Sequence, residues 1–296
     1  MNDLLDEENL WFTFISPQPA TKTASETESS SHEENDEDFD DEGLKFANKI
    51  LETNPSLHVS EFGKTQKNPL DQARFYLLHY PNWFNPDNKS EKFPLVIFFH
   101  GIRSSAWSGC LQQTSLIQLS NQKKFFVAFG QASGEFAKKA KREANGWITY
   151  GSLYWGLMDP EPDVRYLRHL IEDAKEATNN QIDEKRIYYI GSSRGGLFSC
   201  SVATMCSDII AAVININGGI QEEQEIQVRS SQKVKRPLFI YSGTEDMHLP
   251  LCQRAKELFE KAGFPVGLEV IPNHPHKYPK FKEEEMWKWL SSQTLD

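Results

Sequence analysis

The sequence predicts an α/β domain built on a mostly parallel sheet with helices on both faces, and three observations predict it. Short runs rich in β-branched and aromatic residues recur along the chain, amphipathic stretches of helical length separate them, and a serine stands in a glycine-flanked bend directly after one such run. Strand, helix, strand repeated in this way implies right-handed crossovers, which bring the C-terminal ends of the strands to one edge where sites collect.

Residues 1–45 are read as a disordered acidic tail and residues 46–296 as the folded domain. The first 42 residues carry fourteen acidic side chains against one basic, and Thr21 to Glu42 offers a single aromatic, Phe39, to bury. So little apolar surface does not offset the entropy of ordering the chain. The tail is expected either to bind a protein partner or to act as a solvated extension. From residue 43 onward, 31 basic and 28 acidic groups nearly balance, so neither nucleic acid nor an acidic membrane is an expected partner.

No basic n-region with an apolar h-region opens the sequence and no span reaches the length of a membrane helix, so a cytoplasmic location is expected. The four cysteines, Cys110, Cys200, Cys206 and Cys252, lack C-x-x-C spacing and are read as buried free thiols.

Along the domain, strands are expected at Ala73 to Tyr80, Phe93 to His100, Lys124 to Gly130, Arg186 to Gly191, Ile209 to Asn217, Arg236 to Ser242 and Val266 to Pro272. Phe93 to His100 (FPLVIFFH) is apolar almost throughout, as a strand buried on both faces requires. Helices are expected at Asp163 to Ala177, Leu197 to Met205, Leu251 to Ala262 and Phe281 to Ser291. Asp163 is read as the cap of the first, and Trp287 and Trp289 on the last are read as packing and surface residues.

The chemistry concentrates at Arg186 to Gly196, RIYYIGSSRGG. Gly191, Ser193 and Gly195 spell G-x-S-x-G, in which a strand ends, turns sharply and becomes a helix with the serine hydroxyl at the apex. The bend is too close for side chains on its flanks and forces strained dihedrals on the serine. A serine hydroxyl needs a histidine base and a carboxylate to orient that base, each at the end of a later strand. Asp246 stands in the loop after the 236–242 strand, with helix capping as its competing role. His274 and His276 both stand after the 266–272 strand, and His248 is read as a surface loop residue.

With these motifs in place the chain resembles the α/β-hydrolases, and within them the single-domain polyhydroxybutyrate depolymerase and feruloyl esterase-like serine esterases. The resemblance runs from about Arg74 to Leu290: PLVIFFHG, a W-x-x-Y stretch, PDVRYLRHLI, the serine elbow, G-T-x-D-x-x-x-P and a closing histidine. It implies Ser193 as nucleophile, Asp246 as relay acid and His276 as base. His274 stays open because Pro275 stands where the family has glycine. It further implies an oxyanion hole from the backbone N–H group of Arg194 and from one of Gly101, Ile102 or Arg103, with Ile102 taken as the second donor. The Arg194 side chain is open between pairing with an acid at the surface and binding an acidic substrate group.

Trp147, Tyr150, Tyr154 and Trp155 cluster in the link between Gly130 and Asp163, where a pocket wall and a packing cluster are equally compatible with aromatic residues. The expected activity is cleavage of small-molecule carboxylic esters through an acyl-enzyme, with no metal or organic cofactor required. Peptide or amide hydrolysis by the same machinery is the alternative within enzymes, and a non-catalytic binding protein of the same fold is the alternative outside them.

Overall fold

The computed structural model describes residues 57–62, 74–88, 90–102, 104–132, 162–220, 228, 231 and 234–296. The chain divides into two units, 1–50 and 51–296, and every described residue belongs to the second. The expected acidic tail lies outside the described residues, as do Arg103, Trp147, Tyr150, Tyr154 and Trp155.

Among the described residues eight strands form one sheet: β1 (Leu57–Phe62), β2 (Arg74–His79), β3 (Phe93–Phe99), β4 (Phe126–Gly130), β5 (Ile182–Ser192), β6 (Ala212–Ile216), β7 (Leu238–Gly243) and β8 (Val266–Ile271). Their spatial order is β1-β2-β4-β3-β5-β6-β7-β8. The β1–β2 and β2–β4 pairs are antiparallel, whereas every pair from β4 to β8 is parallel. Among the described residues the α-helices are α1 (Ala106–Ser108, running on as a π-helical turn at Gly109–Gln113), α2 (Leu116–Lys123), α3 (Pro162–Ala177), α4 (Arg194–Met205), α5 (Leu249–Lys261) and α6 (Glu283–Leu290).

The apolar runs become the central strands because they can be covered on both faces. Leu95 to Phe99 of β3 and Ile187 to Ile190 of β5 are at most 2% exposed. On one face Phe99 stacks on Phe198 of α4 with ring centroids 5.8 Å apart, and Tyr189 meets Phe99 edge-on at 5.2 Å. Helix α3 turns Val164, Leu167, Leu170, Ile171 and Ala174 into the core, a stripe at helical spacing. Each of its large aliphatic side chains contributes about 1.5–3 kcal/mol by leaving water. On α6, Trp287 stacks on Phe125 at 4.2 Å and Trp289 meets Phe239 at 5.4 Å, which makes both packing residues.

The sequence pattern offers no element at β1, α1 or α2, and three further features differ from the expected pattern. Strand β5 begins at Ile182, ahead of its apolar run, because Ile182 pairs with Phe93 across a register shift while Glu184 and Lys185 face outward. Helix α4 begins at Arg194, three residues before the expected start, since the chain turns directly from the elbow into the helix. Asp163 lies within the first turn of α3 and is fully buried, close enough to Tyr189 to push its phenol pKa upward in addition to the larger effect of burial.

Parallel pairing aligns the strand ends, with Phe99 opposite Gly191, Ser192 opposite Ile216 and Gly243 opposite Ile271. The loops that follow β3, β5, β7 and β8 therefore leave the sheet along one edge.

Candidate active site

The elbow after β5 is built by steric necessity. A Cβ on Gly191 would lie 2.0 Å from the Gly195 carbonyl oxygen, and one on Gly195 would lie 2.2 Å from the Phe99 carbonyl oxygen. Both obstacles are backbone, so neither position accepts a side chain. Between them Ser193 takes φ 53° and ψ −109°, a conformation that costs a non-glycine residue about 1–3 kcal/mol. Hydrogen bonds hold it there: the Ser193 N–H donates to the Ile216 carbonyl at 2.7 Å and the Gly195 N–H to the His100 carbonyl at 3.2 Å. The Tyr189 hydroxyl donates to the Gly195 carbonyl at 2.8 Å from beneath.

Ser193 Oγ lies 2.8 Å from His276 Nε2, and His276 Nδ1 lies 2.9 Å from each carboxylate oxygen of Asp246. The Asp246 carboxylate is fully buried, and the His276 side chain is 34% exposed. Of the two histidines after β8, the structure brings His276 to Ser193. His274 Nε2 instead lies 3.0 Å from the Lys277 carbonyl, and its ring meets Phe281 edge-on. Asp246 does not cap α5, whose first residue is Leu249. Its Oδ1 accepts the His248 backbone N–H at 2.7 Å, which fixes the carboxylate toward His276.

Two residues of this site were not singled out from the sequence as partners of the serine. His248, read as a surface loop residue, packs edge-on against His276 with ring centroids 4.8 Å apart, and its Nδ1 donates to the Asn217 carbonyl at 2.9 Å. Asn217, just past β6 at φ 53°, also donates from Nδ2 to the Lys277 carbonyl at 2.9 Å and from its backbone N–H to Tyr241. It therefore ties the acid loop to the histidine loop. The one signal in the sequence is an asparagine at a strand end, a residue type that tolerates positive φ.

The loop after β3 closes the site from the other side. A Cβ on Gly101 would lie 3.0 Å from Ser193 Cβ and 3.5 Å from its Oγ, so this backbone runs against the serine. His100 is fully buried, and two of its contacts define its tautomer. Nδ1 faces the Gly101 carbonyl at 2.7 Å, which only accepts, and Nε2 faces the Ala132 N–H at 3.2 Å, which only donates. The ring is thus neutral with its proton on Nδ1, and burial lowers its pKa from 6.5 to about 4 against a smaller raising effect of the Gly101 hydrogen bond. Holding the Gly101 carbonyl fixes the plane of the peptide that carries the Ile102 N–H, since the two groups share one trans peptide. Arg194 is the first residue of α4, half-buried, and its amide belongs to the first turn, whose N–H groups point out of the helix end.

This strand order and elbow are those of the α/β-hydrolase fold, and the family to which the chain belongs makes it a carboxylic ester hydrolase. Solved structures share the fold: a thermostable esterase aligns at TM-score 0.57 and 19% identity over 81% of this chain, which spans 64% of that protein's length. The acetyl xylan esterase from Aspergillus awamori aligns at TM-score 0.59 and 12% identity over 79% of this chain and 99% of its own. The chain belongs to the acetyl xylan esterase (AXE1) family, whose model matches residues 27–217. An uncharacterized hydrolase of Acanthamoeba polyphaga mimivirus is 29% identical over 243 residues, 75% of this chain and 76% of that protein.

Proposed function

We propose that this protein hydrolyses carboxylic esters with Ser193 as nucleophile, His276 as general base and acid, and Asp246 as the group that orients the imidazole. The observation that carries the proposal is the unbroken line of hydrogen bonds, 2.8 Å from Ser193 Oγ to His276 Nε2 and 2.9 Å from His276 Nδ1 to Asp246. Ser193 attacks the ester carbonyl as its proton passes to His276. The imidazolium then protonates the departing alcohol, leaving the acyl group on Ser193 Oγ. Water, deprotonated by the same imidazole, repeats the cycle and releases the acid. The buried Asp246 carboxylate fixes the Nδ1–H tautomer, so that Nε2 faces Ser193 with a lone pair.

The amides of Arg194 and Ile102 are the donors for the developing oxyanion, preorganised by the helix start and by the grip of His100 on the Gly101 carbonyl. Membership of the acetyl xylan esterase family makes acetyl esters the first substrates to test. All four cysteines are free and buried, which accords with a reducing compartment, and we place the protein in the cytoplasm on that ground. Among the described residues no helix is long and apolar enough to cross a membrane.

The test is Ser193→Ala, measured by fluorophosphonate labelling and by hydrolysis of p-nitrophenyl acetate beside matched amides. Both labelling and ester turnover are expected to vanish in the variant. Retention of either, or a wild type that prefers the amides, overturns the assignment.

A further inference from the structure

We propose that Asp246, His248 and His276 form an inhibitory site for a divalent ion of the zinc or copper type. The consequence, loss of turnover, rests on the proposed roles of Ser193 and His276, whereas ion binding stands on the donor set alone.

One donor atom from each of the three side chains lies within 4.8 Å of the others. Four-coordinate zinc with bonds of about 2.0–2.2 Å spaces its ligand atoms roughly 3.3–3.5 Å apart. Asp246 and His276 Nδ1, at 2.9 Å, already stand close to the separation of two adjacent ligands. With all three ligand atoms inside 4.8 Å of one another, His248 has no more than about 1.5 Å to close to reach the spacing of a tetrahedral site. Two imidazoles and a carboxylate select zinc or copper over the hard, oxygen-seeking calcium and magnesium, and three protein ligands leave a fourth position open.

His248 turns a catalytic pair into a site. The Asn217 carbonyl can only accept, so the 2.9 Å contact puts the His248 proton on Nδ1 and its lone pair on Nε2. An imidazole that gives one N–H to a backbone carbonyl and keeps the other nitrogen bare is the usual state of a histidine that binds metal. Asn217 is itself anchored to Tyr241 and Lys277, so the ring is held from behind. The base is reachable from solvent, its side chain being 34% exposed.

An ion shared with Asp246 must sit on Nδ1 of His276, the nitrogen that faces the carboxylate. A neutral ring with Nδ1 occupied carries its one proton on Nε2, which faces Ser193 Oγ at 2.8 Å. The proton has moved from one nitrogen to the other with no net release, and the ring now donates where it must accept. Ser193 keeps its proton and the enzyme stops.

The experiment uses the full chain. Zinc chloride is titrated into p-nitrophenyl acetate turnover by wild type and His248→Gln, each normalised to its own metal-free rate, with EDTA reversal and a magnesium control. In parallel, Co2+ is titrated into Ser193→Ala with and without His248→Gln, and the visible absorption of four-coordinate cobalt reports binding without turnover. Fluorophosphonate labelling of metal-free His248→Gln reports that its serine site is intact. Expected are zinc inhibition reversed by EDTA, no effect of magnesium, and at least about 10-fold weaker zinc and cobalt binding in His248→Gln, since even the outer partners of metal ligands are worth that much. Equal sensitivity of the two proteins, or a cobalt spectrum indifferent to His248, overturns the proposal. Cobalt binding through His248 in a chain that cleaves no ester would keep the ion site and sink the esterase reading. Ester turnover indifferent to zinc would do the opposite.

Discussion

Acidification should destabilise this protein through one residue that does no chemistry, His100. Its ring is fully buried between the Gly101 carbonyl and the Ala132 N–H, and its pKa falls from 6.5 to about 4. The unfolded chain takes up a proton near pH 6.5, while the folded chain resists protonation until near pH 4. The stability that a neutral His100 supports is therefore fully present above 6.5 and is lost as pH falls toward 4. A shift of that size corresponds to about 3 kcal/mol in all, of which about 2 kcal/mol disappears between pH 7 and pH 5. Urea unfolding of wild type and His100→Asn at both pH values isolates the residue from the other titrating groups. The wild type should lose about 2 kcal/mol more than the variant over that interval. Parallel losses would refute both the neutral tautomer and the account of how the Ile102 amide is held.

Three further outcomes follow from the geometry. Asn217→Asp keeps the backbone acceptor for His248 but loses the donor to Lys277, so kcat should fall about 10- to 100-fold with KM little changed; steady-state kinetics showing a KM effect alone would place Asn217 outside the alignment of His276. Gly195→Ala sets a Cβ 2.2 Å from the Phe99 carbonyl oxygen and should cost at least about 3 kcal/mol, read as a lowered Tm, an unchanged Tm contradicting the tight turn. Burial pushes the Cys110 and Cys200 thiols up to about 12 and Cys252 to about 11, and Cys206 is equally enclosed. A thiol reagent at neutral pH should therefore label none of the four before denaturation and all of them after it.

The fold was legible wherever apolar runs are long enough to be covered on both faces. That holds for β3, β5 and β6, and for α3 with its buried stripe. Strand β1, with the sequence LHVSEF, is short and mixed in polarity, and it exists because β2 offers a free edge, which no local pattern announces. The early start of α4 was hidden because glycines at 195 and 196 are poor helix formers that the crowded elbow nonetheless demands. At the site, spacing and residue type nominated Ser193, Asp246 and a histidine. Choosing between His274 and His276 requires knowing which way a loop faces, and that follows from how Asn217 and Thr244 grip the chain after β8. His248 and Asn217 were passed over for the same reason: their importance lies in contacts between loops 31 residues apart.

Strand β8 is the outermost member of the parallel ladder, paired among the described residues only to β7, and five of its six residues are incompletely buried where the central strands are fully so. His276 hangs five residues beyond it, whereas Ser193 grows from β5 in the middle of the sheet. Margins of a sheet open at lower free energy than its centre. With His276 in its proposed role as base, warming should thus silence the enzyme by unzipping its border well before the interior melts, and the heat tolerance of activity would be governed by how firmly that last seam is sewn.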